Sequence, residues 1–322
     1  MRVAFVGTFA CRMVPDVLAR LTVPCDVVLA QEHDAVTAVR EADVVVTMTF
    51  NASMGAAAGR LSLVQVPGAG LDRIDRGAIP ASAILANAYG HEVGIAEWIV
   101  GAMLALSRQF ARLDAALRAG RWESQWAVDT PPPPAWPELS GKTLGIVGYG
   151  RIGACLTRRA RAFDMTILAM RRRPIAAEDD VTPVPVARLV DLLARSDFIA
   201  LTLPLSADTR GLIGSREIAA MKPGAVLVNP ARAEIVDEDA LYDALAARRI
   251  AGAALDAWYR YPSSPGPTLP ASRPFHELPN VLLSPHVSGW TEGMLSARAS
   301  LIAENIARIS RGESPANMIE KN

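Results

Sequence analysis

Cysteine is scarce: Cys11, Cys25 and Cys155 are the only three in 322 residues. They show no CxxC spacing and an odd number cannot all pair, so neither a disulfide framework nor a thiolate metal site is expected, and a reducing, cytoplasmic setting fits. No apolar run reaches the roughly 18–20 residues that span a bilayer. "MRVAFVGTFA" runs from β-rich apolar residues straight into a glycine turn, without the long apolar region and small-residue cleavage site of a leader, and reads as a first strand. An excess of charge is also missing. Lys plus Arg and Asp plus Glu balance at 33 each, which removes any global attraction to nucleic acid or an anionic membrane. Lysine itself is limited to Lys142, Lys222 and Lys321, so arginine carries nearly all the positive charge. The four histidines (His33, His91, His276, His286) make no HExxH zinc motif, because "HEVGI" has Ile95 where the second would stand. No metal site is expected.

What is present is an alternation of short apolar runs with helical patterns, long enough for two domains. "RVAFVG" (2–7), "ADVVVTM" (42–48), "LSLVQVPGAG" (61–70) and "AILAN" (83–87) read as strands of a first series. A second begins after the proline-stiffened "DTPPPPAWPELSG" (129–141) and offers six strand candidates: 142–150, 165–170, 197–205, 224–232, 251–258 and 280–289. Near-continuous apolar strands separated by helices imply parallel sheets covered on both faces. Between the series, 91–122 reads as a long helical pattern, apolar over more than one face and therefore buried against something. Trp122, Trp126 and Trp136, near the proline run, read as interface or core anchors. "TEGMLSARASLIAENIARISRGE" (291–313) reads as a final helix returning to the first series.

"VGYGRIG" (147–153) places Gly148, Gly150 and Gly153 in GxGxxG spacing. The first glycine permits a tight turn, the second lets backbone approach a pyrophosphate, and the third lets the helix pack on its strand. The motif follows a strand and opens a helix, the context that gives it meaning. Roughly 20 residues on, where a carboxylate would bind the adenosine ribose, the strand "MTILAM" ends instead in Arg171, Arg172 and Arg173. Guanidinium groups suit a 2′-phosphate, so NADP(H) is the expected cofactor, with NAD(H) the alternative if the loop is simply an exposed basic turn.

"LGIVGYGRIG", "ALTLPLSADTRGLIG", "MKPGAVLVNPARAEIVDEDAL", "IAGAALD" and "LPNVLLSPHVSGWT" follow one another in order, and on these motifs the sequence resembles the D-isomer-specific 2-hydroxyacid dehydrogenases over nearly its whole length. The resemblance implies an α/β architecture of two doubly wound parallel-sheet domains. A Rossmann dinucleotide-binding domain (99–289) would be inserted into a flavodoxin-like substrate domain (1–98 and 290–322), with a homodimer formed through the nucleotide domains. It also implies hydride transfer between the nicotinamide and a 2-keto or 2-hydroxy acid, either glyoxylate or hydroxypyruvate or a bulkier D-2-hydroxy acid. Arg232 would grip the substrate carboxylate and carbonyl. His286 would be the acid/base, imidazole having an unperturbed pKa of about 6.5. Asp256 would meet the nicotinamide carboxamide, and Pro230 and Ala231 its ring. Arg151, Ile152, Pro204, Thr209 and Gly289 complete the cofactor set. "VPGAGLDRID" (66–75) would bind the substrate carboxylate through converging amides, with Ala69 and Gly70 at its centre. Met48, Thr49 and Phe50 are wall candidates that could equally just pack. His91 could face the cleft or lie solvated at a helix start.

One position departs from the family. Where its members usually pair the histidine with a glutamate before a proline, this chain has Tyr261 before Pro262. A neutral phenol can orient the imidazole but cannot raise its pKa by opposite charge. Formate dehydrogenases resemble this pattern with a glutamine there, so a small acid, formate- or phosphonate-like, is one alternative. A dinucleotide-sensing binding protein on the same scaffold, as in the C-terminal-binding-protein corepressors, is another. Retention of both Arg232 and His286 favours chemistry.

Overall fold

In the computed structural model, which describes residues 1–129, 131–175 and 180–320, the chain divides into two compact units, Met1–His91 with Trp290–Asn322, and Glu92–Gly289. The division after His91 comes earlier than the boundary at 98 expected from the sequence. Its reason is that Glu92–Arg108 is a helix of the second unit as a whole: Ile95, Ala96, Ile99 and Met103 are buried in one cluster with Leu144, Ile146 and Leu156. The helical pattern after His91 is also broken in two at Gln109, whose backbone is left-handed (φ 50°), and resumes as Phe110–Arg118.

The first unit is built on five parallel strands, β1 (Arg2–Val6), β2 (Asp26–Ala30), β3 (Val44–Thr47), β4 (Leu63–Gln65) and β5 (Ile84–Ala86), in the order β5-β4-β3-β1-β2. This is the flavodoxin-like order. Valines of β3 are buried on both faces, as a parallel sheet under two helical layers requires. β2, at the edge, is only partly covered, although Val27–Ala30 is an apolar run like those of the other strands. In the second unit β6 (Thr143–Val147), β7 (Thr166–Met170), β8 (Thr182–Pro183), β9 (Phe198–Leu201), β10 (Val226–Asn229), β11 (Gly252–Leu255) and β12 (Val281–Leu283) run parallel in the order β12-β11-β10-β9-β6-β7-β8. This sheet has seven strands rather than the six expected; β8 is a two-residue, exposed pairing on β7 too short to leave a periodicity.

The chain then returns to the first unit. The helix Glu292–Ser310 is pinned by a buried amide network: Asn305 Nδ2 donates to Gln65 Oε1 at 2.7 Å, and Asn305 Oδ1 accepts from the Ala316 amide at 2.7 Å. A last strand, β13 (Met318–Ile319), closes the outer edge of β5 antiparallel, pairing Met318 with Ala86. Among the described residues no helix is long and apolar enough to cross a membrane, and no cluster of potential metal ligands occurs.

Candidate active site

β6 leaves the sheet through Gly148, Tyr149 and Gly150 into the helix Arg151–Arg161. Gly148 has φ 99°, and a Cβ on it would lie 2.7 Å from the Leu203 amide nitrogen, so both conformation and crowding demand glycine. The turn is held from both sides. The Met170 carbonyl accepts from the amides of Gly148 (2.9 Å) and Tyr149 (2.7 Å), while Thr202 Oγ1 donates to the Gly148 carbonyl at 2.9 Å. A Cβ on Gly153 would press on Ile146 at 3.2 Å, which is the close helix–strand packing its position was expected to serve. At Gly150 a Cβ would meet nothing within 4 Å, and no side chain caps the helix there. The first amides of that helix thus open onto space that suits a pyrophosphate, and the turn fits a dinucleotide. Arg151 is exposed at the first helical position, and Ile152 packs beside the buried cluster.

The basic loop after β7 is not a fan of free guanidinium groups. Arg171 curls back, its Nε donating to the carbonyls of Arg173 and Pro174 at 3.0 Å each, while Arg172 faces Asp208 at 3.7 Å with both side chains exposed. Thr209 staples the turn after β9: its hydroxyl donates to the Pro204 carbonyl at 2.8 Å and accepts from the Ser206 amide at 2.7 Å.

The catalytic candidates converge at the C-terminal ends of β10, β11 and β12. After β10, Asn229 shapes "NPAR": its side chain accepts from the Ala231 amide (3.1 Å) and donates to the Arg232 carbonyl (2.9 Å), with Pro230 buried between. Arg232 Nη1 donates to the Ala231 carbonyl at 2.8 Å. After β11, Asp256 is fully buried, and it holds the segment that follows β12. Its carboxylate accepts from Ser284 Oγ, from the Val287 amide and from the Ser288 amide, the last two at 2.8 Å. Those bonds bracket His286, whose backbone is left-handed (φ 57°), and the loop ends at Gly289. Trp258 adds a second tie, its indole donating to the Ser284 carbonyl at 2.7 Å.

Tyr261 meets His286 directly, phenol oxygen to Nδ1 at 2.6 Å with the rings tilted by 49°. The phenol oxygen also accepts from the Trp258 amide at 3.3 Å and keeps both a second lone pair and its O–H for Nδ1, so it can accept from an Nδ1–H or donate to a bare Nδ1. Burial raises the phenol's pKa, outweighing the Trp258 hydrogen bond and the Arg232 charge that lower it. Trp258 and Tyr259 do not crowd the site. Both belong to the core, Tyr259 stacking on Phe275 and donating to the Val236 carbonyl at 2.9 Å.

The first unit carries the substrate-loop candidates. The carbonyl side of the turn at Gly68–Gly70 is tied down: Asn87 Nδ2 donates to Ala69 and the Ala88 amide to Gly68, each at 3.1 Å. Met48 abuts this turn, its thioether 3.4 Å from where a Gly68 Cβ would sit, and Thr49 is held by the buried Thr47 hydroxyl at 2.9 Å. Phe50 is buried and paired with Ile74, a core residue rather than a wall. His91 stacks on Tyr89 and meets Arg298 at 3.3 Å, and Arg298 Nε donates to the Tyr89 carbonyl. Sequence reasoning passed over Asn229, Thr202, Ser284 and Arg298. The first three carry a readable signal, a short hydroxyl or amide residue at a strand end beside a motif, whereas nothing marks an arginine within a helix.

Residues 100–288 match the D-isomer specific 2-hydroxyacid dehydrogenase, NAD binding domain, family, which is more than half the chain. The chain belongs to the D-isomer-specific 2-hydroxyacid dehydrogenases. It is 34% identical over 291 residues to a glyoxylate reductase of Korarchaeum cryptofilum, covering 88% of this chain and 84% of that one. It is 36% identical over 273 residues to a D-3-phosphoglycerate dehydrogenase of Methanocaldococcus jannaschii, covering 81% of this chain and 48% of that one. The structure of an NADPH-dependent glyoxylate/hydroxypyruvate reductase from Sinorhizobium meliloti superposes with a TM-score of 0.82 at 27% identity, covering 99% of this chain and 97% of that one. As a 2-hydroxyacid dehydrogenase the chain is an enzyme, its cofactor is a nicotinamide dinucleotide, and small 2-keto or 2-hydroxy acids are its substrate class.

Proposed function

We propose that this dehydrogenase is an NADP(H)-linked reductase of 2-keto acids, working in the cytoplasm as a homodimer. The observation that carries the reading is the contact between Tyr261 and His286 Nδ1, 2.6 Å long, at strand ends shared with Arg232. The Gly148–Gly153 turn would hold the dinucleotide by its pyrophosphate, Ala231 and Gly289, the latter closing the His286 loop, would line the nicotinamide pocket, and the bound cofactor would supply or accept the hydride. Arg232 orients the substrate carboxylate and polarises the carbonyl, since a guanidinium can serve both in one plane. His286 delivers the proton to the developing alkoxide from Nε2. In the imidazolium form Nδ1–H donates to the phenol oxygen, and delivery from Nε2 leaves the neutral ring with that Nδ1–H bond intact, so Tyr261 positions the ring in both charge states. The backbone amides at Ala69 and Gly70 receive the carboxylate, with Met48 and Thr49 beside them. The contact to the nicotinamide carboxamide expected of Asp256 would draw on a carboxylate that already accepts three protein hydrogen bonds.

Three consecutive arginines with no carboxylate among them support NADP(H); the exposed Arg172–Asp208 pair is weak enough to yield to a phosphate. Three free thiols fit a reducing compartment. Exposed Phe110, Leu117, Trp122, Trp126 and Val128, consecutive along one stretch, support a dimer that covers them. NADPH oxidation against a panel of 2-keto acids tests the reading. Turnover that is lost in Arg232→Ala and His286→Ala is expected; tight cofactor binding without turnover on any member would favour a dinucleotide sensor instead.

A further inference from the structure

The first unit contains a crevice of about 460 Å³ that the site above reaches at Met48. It lies beyond the C-terminal ends of β1, β2 and β3, where the strand order reverses, the place where open α/β sheets take ligands. Its volume is within the range of about 300–1,000 Å³ typical of small-molecule sites. Val6, Phe9 and Met48 make its wall apolar, while Thr8, Gln31, Glu32 and Arg73 ring it with polar groups. Met48 is shared with the turn at Gly68, so the crevice and that turn are one thioether apart.

We propose that this crevice is a side-chain subsite, and that the substrate is a 2-keto acid whose chain is apolar for several carbons and ends in an uncharged hydrogen-bonding group, a hydroxyl or a carboxamide. The proposal rests on the reading of Gly68–Gly70 as the carboxylate turn. With the carboxylate there, a chain passing Met48 enters the crevice, and glyoxylate, having no side chain, leaves it unfilled. The rim fixes the terminal group. Glu32 and Arg73 neutralise each other at 2.7 Å, Thr49 Oγ1 stands 3.5 Å from Glu32, and Thr8 donates to Gln31 at 3.4 Å. His33 at the rim faces Asp34 at 3.0 Å, and Arg298, stacked over Phe9 at 6.0 Å, is engaged by the Tyr89 carbonyl and His91. These cations already have partners, and a carboxylate terminus would have to compete with Glu32 for Arg73. A hydroxyl or amide can give a hydrogen bond to Glu32 and take one from Arg73.

The test is steady-state reduction with NADPH of glyoxylate, pyruvate, 2-ketohexanoate, 6-hydroxy-2-ketohexanoate and 2-ketoadipate by the wild type, Thr8→Trp, Gln31→Trp and Glu32→Gln. In the wild type kcat/KM rises about four-fold per methylene, the gain from burying each CH₂, the hydroxylated acid surpasses 2-ketohexanoate, and 2-ketoadipate falls below it. The tryptophan variants impose a penalty that grows with chain length. Glu32→Gln, which leaves the rim positive, raises 2-ketoadipate relative to the others. A flat or falling chain-length series in the wild type, or an equal penalty on every acid, overturns the subsite while leaving the reductase reading intact. No turnover with any acid overturns both.

Discussion

Tyr261 reaches Nδ1 of His286 at 2.6 Å, and burial holds its phenol above the ordinary value of 10.0. The phenol is therefore neutral throughout the range, about 6.5, where imidazole titrates, and contributes direction without charge. Removing it in Tyr261→Phe costs one oriented hydrogen bond, so kcat/KM should fall about three- to ten-fold. Tyr261→Glu should do the opposite to the pH profile: an anion at Nδ1 favours imidazolium, and the basic limb of kcat/KM moves to higher pH. An unmoved limb in that variant would count against a charge-free partner. Asp256 makes a separate prediction at this scale. Because its carboxylate holds the Val287 and Ser288 amides, Asp256→Asn presents an amide to two donors and loosens His286. At least a ten-fold loss of kcat is expected, with cofactor Kd, read by fluorescence titration, changed less than about three-fold, hydrogen bonds to charged groups being worth about 1.5–3 kcal/mol. A large change in Kd with kcat preserved would mark Asp256 as a cofactor contact instead.

The two sheets share a device that their sequences do not advertise. Asp43, just before β3, accepts from the Arg2 amide at the start of β1 (2.7 Å) and pairs with Arg60 (2.7 Å). Asp197, just before β9, accepts from the Thr143 amide at the start of β6 (2.8 Å) and pairs with Lys222 (2.9 Å). Burial works to raise both pKa values, but the hydrogen bonds and cations overcome it and both are lowered. A depressed folded-state pKa contributes stability that is complete above the unfolded value, about 3.9, and is lost as pH falls through the folded one. Asp197→Asn should therefore destabilise at neutral pH by about 1–3 kcal/mol, and the difference from wild type should shrink below about pH 4 in denaturant titrations. What could be read in advance follows burial. Strands covered on both faces, such as β3 and β10, leave unbroken apolar runs, and the glycine spacing and the motifs of Arg232 and His286 are local in sequence. β8 and β13 are two-residue edge elements whose pairing is set by distant partners, so no local pattern betrays them, whereas β2 carries an apolar run, Val27–Ala30, that a strand reading could have used. The same holds for Asp256: its residue type was legible, but three bonds spanning 28–32 positions decided where it points.

At the level of the whole molecule, the stretch from Phe110 to Val128 exposes large apolar side chains that an isolated chain has no reason to keep on its surface. Leu117→Glu combined with Phe110→Glu should convert the expected dimer to a monomer by light scattering without loss of helical signal; a wild type already monomeric at micromolar concentration would remove the argument. The discontinuity of the first unit has a consequence in time rather than in space. Its sheet is closed by β13 and braced through Asn305, both of which leave the ribosome only after the entire second unit. The unit begun first is thus finished last. While the inserted domain folds behind it, the nascent chain holds β1 to β5 with an outer edge unpaired, and that edge is where mispairing or a chaperone would find it.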